Sequence, residues 1–318
     1  MKRTSLLLAL SLAHALAQGQ AWPTKTVHAI VPVGAGSSTD IVHRLVLEQL
    51  SAELGRPVVV ENRTGAGGTI GTALVAKAKP DGYTLLANGS AHTIAPALYK
   101  SLPYDPGLDF VPIAPVGVSA CVLVVSAAKR FAMTQQLVAA AKARPGVINF
   151  SSVGIGTATH LAAERFAASA GIDVLHVPFK GGAEAMLEVM AGRVEFFFGP
   201  SALVLPNIRG GKLSALAVNT AERSAQLPNV PTLREAGYAD AEYPIWFGLF
   251  APAGTPRQIV ESMNHEVLKA ARSRTVQEKF STLGIEPLAM SPDAFRIYVE
   301  KEIALNAALA KKVGLKAD

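Results

Sequence analysis

The 318-residue sequence contains one cysteine, and this scarcity excludes a fold that is held together by internal disulfides. Stability must therefore come from packing of the apolar residues, which make up 50% of the chain. Cys121 lies in an apolar run, which predicts a buried thiol rather than a nucleophile. A chain of this length and composition predicts two lobes, each with its own core.

Charged residues are also few, at 17% of the chain, and the basic ones are dispersed. The formal net charge is +6, but the densest basic clusters are pairs such as Lys129-Arg130 and Lys311-Lys312. Nucleic-acid-binding proteins usually concentrate basic residues in a patch or a known module, so we expect no nucleic-acid partner. A mildly positive field favours anionic solutes.

The motifs of common enzyme classes are missing as well. The sequence has no G-x-S-x-G elbow, which argues against a hydrolase, although a Ser152–His160 pair can be imagined. We interpret His160 instead as a brace for the loop before it. The histidines show no H-x-x-x-H spacing, and there is no C-x-x-C, so we expect no metal and no other cofactor. These absences predict that the protein is not an enzyme.

A short apolar run after two basic residues predicts an export signal at the N-terminus. Lys2 and Arg3 precede an apolar run at residues 6–12, and a small-x-small motif typical of signal cleavage ends at Ala17. We expect cleavage after Ala17, with a cut after Ala21 as the alternative, and a periplasmic mature protein. The run is shorter than the ~20 residues that a membrane span requires.

The middle of the chain repeats a unit of apolar strand, glycine-rich turn and helix. The first unit has a strand at 26–33, a turn at 34–40 and a helix that Gly55 is placed to end in a left-handed cap. Further units begin near residues 57 and 147. Strands that alternate with helices predict an α/β fold with parallel sheets covered on both faces. Ligands of such sheets lie beyond the carboxyl ends of the strands.

The C-terminal part is mainly helical, and two apolar stretches suit strands that cross between lobes. Thr255 is placed to cap a helix that starts at Pro256, and Ser291-Pro292 repeats that signal. We expect the crossings near residues 118–126 and 243–250. The predicted lobes are residues 22–122 with 246–318, and residues 123–245.

Two of the glycine-rich turns have the composition of an anion site. They are Gly34-Ala35-Gly36-Ser37-Ser38-Thr39 and Ser152-Val153-Gly154-Ile155-Gly156-Thr157. Each precedes a helix, whose first amides lack internal partners and whose dipole adds positive character. Glycine lets a ligand approach the backbone, and the hydroxyl groups add donors. If the lobes face each other, the turns predict a site for a molecule with carboxylates at both ends.

The first turn also partly fits a dinucleotide-binding fingerprint. Gly34-x-Gly36 follows a strand and Glu61 ends the next strand, but the third glycine position is occupied by Thr39. An exported protein also reaches a compartment where soluble nicotinamide cofactors are scarce. A secreted hydrolase-like or nucleotide-binding enzyme therefore remains only as the alternative function.

A series of short motifs follows in order along nearly the whole chain, from Trp22-Pro23 to about Leu315. The motifs include Ile30-Val31-Pro32, Thr39-Asp40-Ile41, Leu54-Gly55-Arg56-Pro57, Glu61-Asn62-Arg63, Gly65-Ala66-Gly67-Gly68, Pro80-Asp81-Gly82-Tyr83, Leu102-Pro103-Tyr104-Asp105-Pro106, His176-Val177-Pro178, Lys180-Gly181, Val230-Pro231-Thr232, Phe247-Gly248 and Ala251-Pro252-Ala253-Gly254-Thr255-Pro256. Together they resemble the substrate-binding receptors of tripartite tricarboxylate transporters, the Bug-type family of periplasmic receptors.

The resemblance implies a two-lobed flytrap fold of the type II periplasmic binding proteins, with two crossover strands. It also implies a monomer that closes on a small organic carboxylate, often through ordered water, and delivers it to inner-membrane transporter subunits. The residues expected at the ligand are Ala35, Gly36, Ser37, Ser38, Thr39, Ser90, Ser152, Gly154, Gly156, Thr157, Phe179 and Gly199.

The sequence departs from the family pattern at two places. The first turn has Val33 and Gly34 where members usually carry an aromatic residue and a proline. Many members have an aspartate where this chain has Gly199, and that aspartate can take an amino or hydroxyl group of the ligand. We therefore expect a ligand that is not an amino acid, and we predict that the space freed at Gly199 admits a bulkier or aromatic acid.

Overall fold

The structure, a computed structural model, describes residues 22–129 and 131–314. The predicted export signal and both of its predicted cleavage positions lie outside the described residues. Within these two ranges, no helix has the length and apolar character needed to cross a bilayer.

Two β-sheets are present in these ranges, and helices cover them. The strands are β1 (Val27–Val31), β2 (Val58–Asn62), β3 (Thr84–Gly89), β4 (Phe110–Ser119), β5 (Cys121–Ser126), β6 (Asn149–Ser152), β7 (Leu175–Pro178), β8 (Phe196–Pro200), β9 (Leu213–Val218), β10 (Ile245–Pro252) and β11 (Ile285–Glu286). The helices are α1 (Ser38–Leu54), α2 (Thr69–Ala76), α3 (Ser90–Leu98), α4 (Thr134–Ala143), α5 (Ala158–Ala170), α6 (Gly182–Met190), α7 (Ser201–Arg209), α8 (Arg257–Ala271), α9 (Arg274–Leu283) and α10 (Pro292–Val313).

Each sheet combines a parallel part with antiparallel strands. The first sheet has the order β11-β4-β10-β3-β1-β2, and β1 pairs in parallel with β2 and β3. The second has the order β7-β6-β8-β5-β9, and β6 pairs in parallel with β7 and β8. The other pairs are antiparallel. The predicted α/β architecture is confirmed, and we name the parts built on the two sheets lobe 1 and lobe 2.

The chain crosses between the sheets at two places. Ala120 alone separates β4 from β5, and the return lies between β9 and β10. Cys121, just past the first crossing, pairs with Pro200 at the end of β8. Phe247, just past the second crossing, pairs with Gly89 at the end of β3. The parallel strands of both sheets therefore end on the side of the crossings, and the turns that follow β1 and β6 open toward the space between the lobes.

The core of lobe 2 explains the run of three phenylalanines. Phe196 and Phe198 pack on one face of the sheet and Phe197 on the other, and all three are fully buried. Cys121 is buried in the same lobe, and burial raises the pKa of its thiol to about 12. The prediction of a buried thiol is confirmed, and the three phenylalanines belong to a core strand.

Residues of lobe 1 pack directly into the core of lobe 2. Ile94 and Leu98 of α3 contact the hydrophobic cluster that contains the second sheet. The Asn306 amide of α10 donates to the Thr93 hydroxyl over 3.2 Å and accepts from the Tyr243 hydroxyl over 2.7 Å. The interface therefore has an apolar part and a buried polar part, both of which depend on α3 and α10.

Helix ends follow the predicted caps with one exception. Gly55 ends α1 with a φ of 61°, and the Ser291 hydroxyl caps α10. The prediction for Thr255 is wrong, because Pro256 occupies the cap position of α8 and the Thr255 hydroxyl donates to the Pro252 carbonyl over 2.7 Å. Proline supplies the required φ there without a capping side chain.

Acid should destabilise the fold through His92. This side chain is buried among aromatic rings, and its Nε2 donates to the Pro106 carbonyl over 3.1 Å. Burial lowers the pKa of His92 from 6.5 to about 4. As the pH falls, His92 is therefore protonated in the unfolded chain before it is protonated in the folded protein. The free energy of unfolding decreases for this reason between about pH 6.5 and pH 4.

Urea unfolding of the wild type and of His92→Gln, which keeps a donor but cannot titrate, checks this expectation. Between pH 7 and pH 5 the wild type should lose roughly 2 kcal/mol more than the variant. Equal losses in the two proteins would show that His92 does not control the acid response.

Candidate functional site

The turn after β1 is held in a defined shape by its own side chains. The Ser37 hydroxyl caps α1 by accepting the Asp40 amide over 3.3 Å, and the Asp40 carboxylate accepts the Gly36 amide over 2.9 Å. The amides of Ala35, Ser38 and Thr39 have no hydrogen-bond partner among the described residues. These three amides are the free donors of the first turn.

Asp40 is a site residue whose role the sequence analysis missed. Its carboxylate also accepts from Arg44 over 2.9 Å and from Asn62 over 2.8 Å. Burial opposes its ionisation, but the bonds from Arg44, Gly36 and Asn62 outweigh burial and hold the pKa of this carboxyl below its usual value. The pattern Ser37-x-x-Asp40 was the available signal, because it has the sequence spacing of a capping box.

The turn after β6 repeats this arrangement in lobe 2. The Thr157 hydroxyl caps α5 and also donates to the Gly154 carbonyl over 2.8 Å. The Gly156 amide donates to His160 Nδ1 over 3.0 Å. The amides of Ile155, Ala158 and Thr159 are free of partners in the described part of the chain. His160 therefore braces the turn, as predicted.

The two turns have equivalent geometry when residues 34–40 are aligned with residues 154–160. In each, the cap residue donates its amide to the first glycine, over 3.2 Å in one turn and 3.3 Å in the other. In each, the second glycine has a positive φ, 79° at Gly36 and 73° at Gly156. Its amide is bound by the residue three after the cap, Asp40 in one turn and His160 in the other.

The surroundings of the two equivalent glycines differ. A Cβ added at Gly36 would meet no atom within 4 Å, so this turn borders open space. A Cβ added at Gly156 would lie 2.3 Å from Cδ1 of Leu98, which belongs to lobe 1. Gly156 therefore permits close approach of the lobes rather than of a ligand.

Ser152 faces the interior and not a cleft. Its side chain is fully buried, and its Oγ lies 2.6 Å from His176 Nε2 and 3.1 Å from both the amide and the carbonyl of Gly154. The imagined pairing with His160 is therefore wrong, because His176 takes that position. With its hydrogen-bonding capacity filled, Ser152 is unsuited to act as a nucleophile.

The other three predicted residues have structural contacts. The Ser90 hydroxyl is buried and accepts the Trp246 amide over 3.0 Å, which joins α3 to β10. Phe179 is half-buried against the lobe 2 core, and its amide donates to the Ser152 carbonyl over 3.0 Å. The prediction of freed space at Gly199 is wrong, because a Cβ there would lie 2.3 Å from Cγ1 of Val204.

Basic side chains near the first turn are already paired. Arg44 binds Asp40 and Asn62, and Arg63 binds Glu61 over 2.8 Å. The positive character of this turn therefore comes mainly from peptide amides at the start of α1.

A cavity of about 340 Å³ lies apart from both turns, between α5 and α10. Its lining includes Arg165, Ser169 and Leu309. The described ranges contain no group of three or more histidine, cysteine or acidic side chains placed to hold a metal ion. The chemistry that the two turns offer is therefore hydrogen-bond donation to an anion.

Comparison with known proteins agrees with this chemistry. The sequence profile of the family described as tripartite tricarboxylate transporter family receptor (TctC) matches residues 42–315. Protein BugT of Bordetella pertussis is 36% identical over 297 residues, which cover 93% of this chain and 91% of BugT.

Two solved structures are similar over almost their full length. Rpa4515 of R. palustris, solved with adipate, is 32% identical with a TM-score of 0.79, over 93% of this chain and 99% of that one. MatC from Rhodopseudomonas palustris, with bound malate, is 30% identical with a TM-score of 0.75, over 91% of this chain and 100% of MatC. The chain therefore belongs to the tripartite tricarboxylate transporter receptor family, as its Bug-type motifs predicted.

Proposed function

We propose that the chain is a periplasmic receptor that captures a small organic carboxylate between its lobes for a transporter of the tripartite tricarboxylate type. The observation that carries this proposal is the pair of equivalent turns. Each has three amides, one in the turn and two at the helix start, that have no hydrogen-bond partner within residues 22–129 and 131–314. Such amides bind anions without a basic side chain. One turn on each lobe suits a ligand with a carboxylate near each end.

The available donors are sufficient in energy. A hydrogen bond to a charged group contributes about 1.5–3 kcal/mol. Three or four such bonds reach the ~8 kcal/mol of micromolar binding, before the cost of association is subtracted. The exposed Lys180, which follows Phe179, adds long-range attraction for anions and little to the affinity.

The ligands of related proteins support the proposed class. Rpa4515 was solved with adipate and MatC with malate, and both ligands are dicarboxylates. The family resemblance implies that the aspartate replaced here by Gly199 can take an amino group of the ligand, so mono-, di- and tricarboxylic acids are proposed as ligands and amino acids are not.

The proposed mechanism is closure of two hinged lobes, predicted from the sequence as residues 22–122 with 246–318 and residues 123–245. The first boundary moves to Ala120, because β5 pairs with β8 and β9 of the second sheet. Ligand contacts that form only in the closed state shift the population toward it. A monomer, exported with its signal removed, would then present the closed form to inner-membrane transporter subunits. No catalytic step is proposed, since Ser152 is buried and saturated with hydrogen bonds.

Mass spectrometry of small molecules released from natively purified protein tests the function. The expected result is a carboxylic acid without an amino group, and titration calorimetry with adipate, malate and aspartate should then rank aspartate last. Tight aspartate binding with no binding of the plain acids would contradict the proposal. Recovery of a nucleotide would favour the enzyme alternative.

A further inference from the structure

The acceptors that brace the two turns differ in one chemical respect. In lobe 1 the Gly36 amide is bound by a carboxylate, which is ionised and accepts at all but very acid pH. In lobe 2 the Gly156 amide is bound by His160 Nδ1, which accepts only while that nitrogen carries no proton. The first brace is therefore permanent, whereas the second depends on the protonation of an imidazole.

The ring of His160 is part of a stacked pair. Its centroid lies 3.7 Å from that of His176, with an angle of 11° between the planes. His176 stacks in turn on Phe150 at 4.9 Å, and its Nε2 lies 2.6 Å from Ser152 Oγ at the first residue of the turn. The two rings thus hold both ends of residues 152–156, one through Gly156 and one through Ser152.

We propose that His160 and His176 are positioning residues that keep the second turn in its binding shape only while both rings are neutral, so that acid releases the turn and weakens ligand binding. This inference rests on the proposed function, because it concerns the same site. A proton on His160 Nδ1 would make this nitrogen a hydrogen-bond donor, so it could no longer accept the Gly156 amide. Like-charge repulsion would also disfavour a positive charge on both rings at this stacking distance.

The charged surroundings of the pair are simple. On α5, Glu164 Oε1 lies 3.5 Å from His160 Nε2, which agrees with a proton on Nε2 and none on Nδ1. The strand β6 and the end of α3 present Phe150, Ser152 and Leu98 to this region, and none of these carries a charge. Burial, with the neighbouring His160, lowers the pKa of His176 to about 4, so His176 is neutral at ordinary pH.

The test compares wild type with His160→Asn, whose Oδ1 replaces Nδ1 as an acceptor that cannot titrate. The first readout is hydrogen exchange of the Gly156 amide in the protein without ligand, at pH 7.5 and pH 5.0. Intrinsic exchange at each pH is divided out. Protection should fall at least tenfold on acidification in the wild type and less than threefold in the variant.

The second readout is the Kd of adipate at the same two pH values. From pH 7.5 to pH 5.0 the Kd should rise at least tenfold more in the wild type than in His160→Asn. Titration of adipate itself affects both proteins equally. His176→Phe, which keeps the stack and loses the bond to Ser152, should raise the Kd several-fold at pH 7.5. His265→Asn on the exposed face of α8 is the matched control and should behave as wild type.

Glu164→Gln provides a second route if His160→Asn does not fold. Removing this carboxylate disfavours a charged His160, so the loss of Gly156 protection should move to lower pH. Equal acid responses in wild type, His160→Asn and Glu164→Gln would overturn the inference. Failure of adipate to bind at pH 7.5 would count against the proposed ligand class, while Gly156 exchange would still test the brace.

Discussion

Ser38→Asp should weaken adipate binding by about 100-fold and leave the fold at least as stable as the wild type. Ser38 is the first residue of α1, its side chain is exposed, and its amide is one of the free donors of the first turn. A carboxylate there complements the helix dipole and contributes about 0.3–1 kcal/mol to stability. The same charge repels an incoming carboxylate, and a 100-fold loss corresponds to about 2.7 kcal/mol.

Ser38→Asn is the matched control, since it has nearly the same shape and no charge. Calorimetry with adipate should show its Kd within about threefold of the wild-type value, and urea unfolding should rank Ser38→Asp as the more stable of the two variants. If both variants bind adipate equally well, the start of α1 does not face the ligand. Ser38→Asp is expected to weaken adipate binding and to raise the stability of the fold. A loss of binding in this variant is therefore not explained by a loss of structure.

Gly156→Ala should lower the free energy of unfolding by about 2–4 kcal/mol. The residue has a φ of 73°, where a Cβ adds about 1 kcal/mol of strain. The new methyl would also lie 2.3 Å from Cδ1 of Leu98, and overpacking of this kind costs about 1–3 kcal/mol. The clash lies between Leu98 of lobe 1 and the second turn of lobe 2. It should therefore displace that turn and weaken adipate binding as well.

Gly36→Ala is the control for Gly156→Ala, because its φ of 79° is nearly the same and its surroundings are open. Urea unfolding should show only the strain of about 1 kcal/mol. In a Leu98→Ala background, Gly156→Ala should cost less than it does in the wild type, since the clash is removed. Equal losses for the two glycine variants, with the same cost of Gly156→Ala in both backgrounds, would mean that Leu98 does not restrict the second turn.

Local patterns predicted much of the fold. The strand, turn and helix units after β1 and β6 could be recognised because apolar runs, glycines and caps act within a few residues of each other. Gly55 and Ser291 are examples, since each ends or starts a helix through contacts with its own turn. The failure at Thr255 is also local, because two adjacent residues competed for one cap position.

The site was predicted only in part, because long-range contacts decide which amides remain free. Gly36 and Gly156 look like ligand glycines in sequence, yet Asp40 and His160 occupy their amides. The free amides of lobe 2 belong instead to Ile155 and to the first two residues of α5. The helix-start rule, applied from the cap Thr157, could have located those two.

Other features of the site depend on residues far apart in the chain. Ser152 seemed available until His176, 24 residues later, proved to bind its hydroxyl. Leu98 meets Gly156 only because α3 of lobe 1 packs on lobe 2. The space at Gly199 is filled by Val204 from the following helix. No periodicity or spacing in the sequence reports such contacts.

Peptide amides from both turns should bind the same carboxylate ligand. The test is titration of ¹⁵N-labelled protein with adipate, and separately with malate, followed by two-dimensional ¹H–¹⁵N spectra. The amides of Ala35, Ser38 and Thr39 should shift together with those of Ile155, Ala158 and Thr159, all with one Kd. Shifts confined to one turn, or centred on the cavity beside Arg165 and Leu309, would contradict this expectation.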